Sequence, residues 1–279
     1  MLMRAFIPRR SLALPPSRLY LSMHPNPPDP TFQSRLLSKF PLPSTSRRSF
    51  QSSTTLRVKW TSSEAILYEL KDRKIEKWGW VFYRTTYEDD EVWDSFKRIL
   101  NFSVRSIISL DPRSELNEAM FDQLEFIFIE DKAKFDGASK EELRAHFQQW
   151  VANSFSAENP QADQRLLHDD EPVPRYRFFF EIDEDTLRSC GSESSGHASF
   201  VDGFWSSSEQ SQNQVKATRD CEDVGWMRMD MAFFMDTHFY AGMSGSVEMW
   251  RFFYERPPAI VPNSKLIRLM QIQNMSRRR

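Results

Sequence analysis

Three apolar stretches of this chain end on charged residues. "WGWVFYRTTY" (78–87) carries Arg84, "QLEFIFIED" (123–131) ends on Glu130 and Asp131, and "RYRFFFEID" (175–183) ends on Asp183, with Glu184 next. Each run is rich in aromatic and β-branched residues and predicts a strand. If the three strands run parallel, all these side chains lie at their C-terminal ends, the edge where open α/β sheets hold ligands. An arginine among carboxylates there can orient an anion or shift a carboxylate's pKa. The competing explanation is solvation, since strands commonly end in charged residues where they meet water. An antiparallel third strand would scatter the set.

Other chemistries find less to work with. The five histidines, His24, His146, His168, His197 and His238, show no ligand spacing, and "HDDE" (168–171) fits a polar loop before Pro172, so no metal site is expected. His146 lies one turn before Trp150 and flanks a helix stripe. Cys190, with His197 seven residues on, permits a Cys–His pair without suggesting one. "GMSGS" (242–246) lacks the nucleophile-elbow spacing, and the chain's eight glycines form no phosphate loop. No cofactor is expected.

The elements that must position these residues alternate. "TSSEAILYELKDRKIEK" (61–77) predicts a short helix capped by Ser63, with Ile66, Leu67 and Leu70 on its face. Strand 78–87 is apolar on both sides, so it should be covered on both. "DDEVWDSFKRIL" (89–100) predicts a helix capped by Asp89 or Asp90 with Trp93, Phe96, Ile99 and Leu100 inward. The acids of "YEDDE" (87–91) favour that helix's dipole. "SKEELRAHFQQWVANSF" (139–155) carries a Ser139–Glu142 capping box and a stripe of Leu143, Phe147, Trp150, Val151 and Phe155. Beyond the third strand lies a Ser/Gly-rich region (189–222), taken as a mobile loop, with a short strand at "SFVDGFW" (199–205). "GWMRMDM" (225–231) predicts a last strand. Broken helices then run up to Pro257–Pro258, with a short helix near 264–273. The fold class is α+β with an α/β-like β-α-β-α-β core: a mixed sheet of four or five strands with packed helices, residues 58–275 forming one domain. The aromatic wealth follows helical and strand periods and is assigned to the core.

Charge divides the chain. Residues 1–60 hold ten Lys/Arg and one acid, Asp29, leaving 27 basic and 38 acidic residues in 61–279. An acidic body argues against broad nucleic-acid binding. No run of apolar residues is long enough to span a membrane. Nine of the 16 prolines fall in residues 1–43, so residues 1–57 are expected to be a disordered, basic leader. Phe32, Leu36, Leu37 and Phe40 would share one helical face, with Arg35 and Lys39 off it, as in a mitochondrial presequence. "RRSFQSSTTLRVKW" (47–60) fits two-step matrix processing, with Arg48 two residues before a cut, Phe50 after it and Ser53 following, leaving Val58 as the mature start. A disordered tail on a cytoplasmic protein, or an extension of the gene start, are the alternatives. Two cysteines, Cys190 and Cys221, make no disulfide framework.

"WGWVFYRTTYEDDEVWDSFKRIL", "PRYRFFFEIDEDTLRS", "GWMRM" and "WRFFYERPP" together resemble a family of uncharacterised ascomycete fungal proteins, over roughly 78–258. The resemblance implies no activity and transfers no site residues. With no catalytic arrangement in the sequence, the expectation is a non-enzymatic interaction or regulatory domain with a protein partner, mitochondrial by its leader. The alternative is an enzyme with a small polar site at the strand C-terminal edge: Arg84, Glu130, Asp131 and Asp183.

Overall fold

The computed structural model describes residues 61–168, 171–190, 196–206, 223–244 and 248–276. The leader, with Arg48, Phe50 and Ser53, lies outside them, as do Cys221 and most of the Ser/Gly-rich region.

Helix α1 (Ser62–Arg73) starts from Thr61, not from Ser63. The Thr61 hydroxyl accepts the Glu64 N–H at 3.3 Å, and the Glu64 carboxylate accepts the Thr61 N–H at 2.7 Å. Ser63 lies inside the helix, buried, and donates to Asp111 at 2.6 Å. Strand β1 (Val81–Arg84) follows, then α2 (Asp90–Ser109), capped by the Asp89 carboxylate on the Val92 N–H at 2.9 Å. Its buried stripe runs Trp93, Phe96, Leu100, Val104 and Ile108, with Ile99 at the margin. Next come α3 (Asn117–Gln123), β2 (Ile127–Ile129), α4 (Lys132–Phe135) and α5 (Lys140–Glu158). Helix α5 opens on the expected Ser139–Glu142 box and buries Leu143, Phe147, Val151 and Phe155. A single turn, α6 (Pro174–Arg177), leads into β3 (Phe178–Ile182), followed by α7 (Glu184–Cys190), β4 (His197–Asp202) and β5 (Trp226–Asp230). The chain closes with α8 (Met231–Met235), α9 (Thr237–Met243), α10 (Glu248–Phe253), β6 (Ile260–Val261) and α11 (Asn263–Ser276).

The described strands form one mixed sheet in the order β2-β1-β3-β4-β5-β6. β1 is parallel to β2 and β3, β4 is antiparallel to β3 and β5, and β6 is parallel to β5. The fold is α+β, with six strands where four or five were expected. The extra strand, β6, has two residues just after Pro257–Pro258, too short to show alternation.

Strand register puts Phe128, Phe82, Phe180, Phe200 and Met227 side by side across five strands on one face. Onto that face pack Trp93 and Phe96 from α2, Phe234 from α8, Phe239 and Tyr240 from α9, and Trp250 from α10. The opposite face is covered by α5, whose Phe147 meets Phe179 at 5.1 Å between ring centroids. β1 is therefore buried along its whole length. Gly79, just before it, sits at φ 123°, and a Cβ there would lie 2.3 Å from the Glu125 carbonyl oxygen, so only glycine admits this approach.

Phe180→Ala should cost roughly 3–5 kcal/mol, since the ring is fully buried among others. Trp150, in α5, is only partly covered, and Trp150→Ala should cost about 1–2 kcal/mol. Urea denaturation of the two variants measures both.

Candidate functional site

The three strands run parallel, so Arg84, Glu130 and Asp183 do share one edge of the sheet. Arg84 is buried there, and its guanidinium is held on several sides. Nε donates to the Thr86 carbonyl at 2.7 Å, Nη2 donates to Asp90 Oδ1 at 2.6 Å, and Nη1 lies 3.7 Å from Glu130 Oε2. The Tyr87 ring lies 4.4 Å from the guanidinium carbon and the Trp93 ring 5.3 Å. Glu130 in turn accepts Trp93 Nε1–H at 2.7 Å and Lys97 Nζ–H at 2.9 Å. The cluster ties the end of β1, the start of α2 and the end of β2 into one knot.

Arg84 and Glu130 come together; Asp183 and Asp131 do not join them. Asp183 Oδ1 accepts the Thr186 N–H at 2.7 Å and the Thr186 hydroxyl at 2.8 Å, which caps α7. Asp131 pairs with Lys134 at 3.0 Å, and that bond holds its carboxyl below the usual range. The gap between β1 and β3 is taken by the chain itself: Thr85 N–H bonds the Ile182 carbonyl at 3.1 Å, and Gly137 N–H bonds the Thr85 carbonyl at 3.0 Å. Two concavities open elsewhere. One, about 10 Å³, lies between α1 and Pro172–Pro174; the other, about 390 Å³, is lined by charged residues including Glu69, Asp72, Arg73 and Glu171. Neither includes Arg84, Glu130, Asp131 or Asp183.

A second polar group crosses the face under α5. Register aligns Tyr83, Glu181, Ser199 and Arg228 as direct neighbours on β1, β3, β4 and β5. Glu181 is buried and pairs with Lys140 at 2.6 Å; burial pushes its carboxyl up, with Lys140 and Ser199 pulling the other way. The Lys140 ammonium lies 3.9 Å from the Trp226 ring centroid. Arg228 and His197 share Asp185, at 3.1 and 3.2 Å. The Tyr83 hydroxyl and His146 Nδ1 share a hydrogen bond at 2.8 Å. Alternation alone places Glu181 opposite Phe180, but the row exists only once four strands are in register.

Asp169 and Asp170 of "HDDE" lie outside the described residues, as does Cys221. Cys190 Sγ lies 3.1 Å from the Thr186 carbonyl and 3.0 Å from Met231 Sδ, and burial pushes the thiol up to about 12, while His197 turns to Asp185. Among the described residues no group of three or more His, Cys, Asp or Glu is arranged to hold a metal. No described helix is long and apolar enough to cross a membrane.

Two predictions follow from these contacts. Asp183→Ala should destabilise the fold by about 1 kcal/mol, as loss of a helix cap, whereas Arg84→Met should lose about 1–3 kcal/mol because the Thr86 carbonyl loses its buried donor and the bond to Asp90 goes with it; thermal melts rank the two. The second concerns pH. Burial holds His146 below its usual range, helped by Lys134 and opposed by Asp131. Burial also holds the Tyr83 phenol well above its own range, so Tyr83 stays protonated and His146 is the member of the pair that titrates in this window. The folded chain thus binds fewer protons at this site than the unfolded chain. Stability from His146 is complete above the unfolded value of 6.5 and is lost as pH falls through the lower folded value. Urea midpoints between about pH 7.5 and about pH 5 should decline less steeply in His146→Gln than in the parent.

No family model, curated protein or solved structure matches the chain.

Proposed function

We propose that the body is a non-enzymatic interaction or regulatory domain, recognised through its surface by a protein partner, in a chain directed to mitochondria. The supporting observation is the internal commitment of the strand-end charges. Arg84 donates to Thr86 and Asp90 and lies 3.7 Å from Glu130, and Asp183 caps α7. The mitochondrial destination rests on the basic, proline-rich composition of residues 1–60 and the spacing of Arg48, Phe50 and Ser53. A second reading, an enzyme with a small polar site at this edge, draws on the approach of Arg84 to Glu130 across parallel strands.

Reversible cross-linking in fractionated cells, then reconstitution from purified components, separates the two. The interaction domain should form a complex with a dissociation constant of about 10 μM or tighter, unchanged in Asp183→Asn. Turnover of a small molecule by the purified chain, abolished in folded Glu130→Gln and Asp183→Asn, overturns it in favour of the enzyme. Terminal peptide mapping should find a mature start at Phe50, Gln51 or Val58 in the mitochondrial fraction; an intact Met1 in the cytosol removes the mitochondrial part.

A further inference from the structure

The two edges of the sheet are built differently. β6, at one edge, has two residues and lies between Pro257–Pro258 and Pro262, which have no N–H to offer a further strand. β2, at the other edge, contains no proline. Glu125 and Ile127 donate their N–H groups to the Trp78 and Trp80 carbonyls at 2.9 and 3.1 Å, so this alternate set bonds inward. Phe126 and Phe128 therefore turn N–H and C=O outward, and neither has an outward main-chain partner among the described residues. The side chains of residues 126–129 are all half-exposed, with Phe126 and Phe128 on one face and Ile127 and Ile129 on the other, whereas β1 beside them is buried.

We infer that the outer edge of β2 takes up an extended segment of a partner protein as an added strand. This rests on the interaction-domain reading and names its docking surface. The main-chain groups of Phe126 and Phe128 require an occupant in strand conformation. Its side chains fall alternately beside the phenylalanines and beside the isoleucines, so it is apolar at those positions. Glu118 and Asp122 of α3 are exposed just ahead of the strand, and the body carries 38 acids against 27 bases in 61–279, so the segment is basic there. A second copy of this chain fits less well. Outward-facing residues must oppose each other, so antiparallel pairing of two copies centres on Ile127, which sets Leu124 opposite Glu130, or on Phe128, which sets Phe126 opposite Glu130 and Glu125 opposite Asp131; each register places Glu130 against an apolar residue.

The probe is a random peptide library displayed on phage and selected on the full chain. The selected peptides should carry a short run of consecutive apolar residues with Lys or Arg at one end of it. As synthetic peptides at saturation they should slow hydrogen exchange at the Phe126 and Phe128 amides by about ten-fold or more. The double variant Glu118→Lys, Asp122→Lys, altered only at exposed positions, should bind them about five-fold more weakly. Peptides that bind while leaving both amides unprotected overturn the edge assignment and leave the interaction domain standing. Recovery of no binder overturns it as well. Concentration-dependent dimers with the same two amides protected assign the edge to a second copy and overturn the partner.

Discussion

The register of the aromatic row on the sheet is the constraint on which the other parts depend. Phe82 lies between Phe128 and Phe180 at centroid distances of 5.3 and 5.5 Å, and Phe180 meets Phe200 at 4.8 Å. Such pairs contribute about 0.5–1.5 kcal/mol each beyond the area they bury. A slip of one residue in β3 would bring Glu181 into this row and turn Phe180 to the other face, so the row admits a single alignment. Helix positions follow from it. α2 lies where Phe96 and Trp93 reach Phe82 and Phe128, and α8 lies where Phe234 reaches Phe82 and Phe180.

The same register creates a polar problem on the reverse face, where Tyr83, Glu181, Ser199 and Arg228 line up under or beside α5. Buried polar groups need partners, and they come from outside the sheet: His146 and Lys140 from α5, Asp185 from α7. Buried arginines close the sheet's ends in a related way. Arg144 donates to the carbonyls of Asp202 and Gly225 at 3.1 and 2.9 Å, pinning the two ends of the β4–β5 connection. Arg175 pairs with Glu158 at 3.0 Å and with Glu125, whose carbonyl it also reaches at 2.7 Å. A planar fork with five donors suits this task of satisfying several carbonyls at once.

Much of this was legible because it is local. Alternation in 78–87 announces a strand covered on both sides, and the Ser139–Glu142 box announces α5. What failed to show was set by distant contacts. Thr61 displaces Ser63 as cap because Asp111, 48 residues away, takes the Ser63 hydroxyl. Arg144 and Arg175 look like ordinary solvent-facing cations until the carbonyls they serve are brought near. His146 was recognised as a flank of the helix stripe, yet its partner Tyr83 lies 63 residues earlier, on a strand whose inward and outward faces both look apolar. β6 carries too few residues for any period to register.

The strand-end charges show how a correct geometric condition can fail to make a cleft. Parallel strands were required to bring Arg84, Glu130 and Asp183 to one edge, and the strands are parallel. The chain also leaves β1 toward β2 and β3 toward β4 on opposite sides, the reversal of strand order at which open sheets part to admit a ligand. Here the parting does not occur. β1 continues its pairing one residue further, through Thr85 to Ile182, and Gly137 closes over the Thr85 carbonyl. Arg84 is then left in a buried corner where water cannot solvate it fully, and Asp90 and Glu130 supply the compensating charge. Asp183, beyond the plug, faces the first turn of α7 and caps it. The charges that the sequence places together are thus divided by main-chain bonds that no side-chain pattern records.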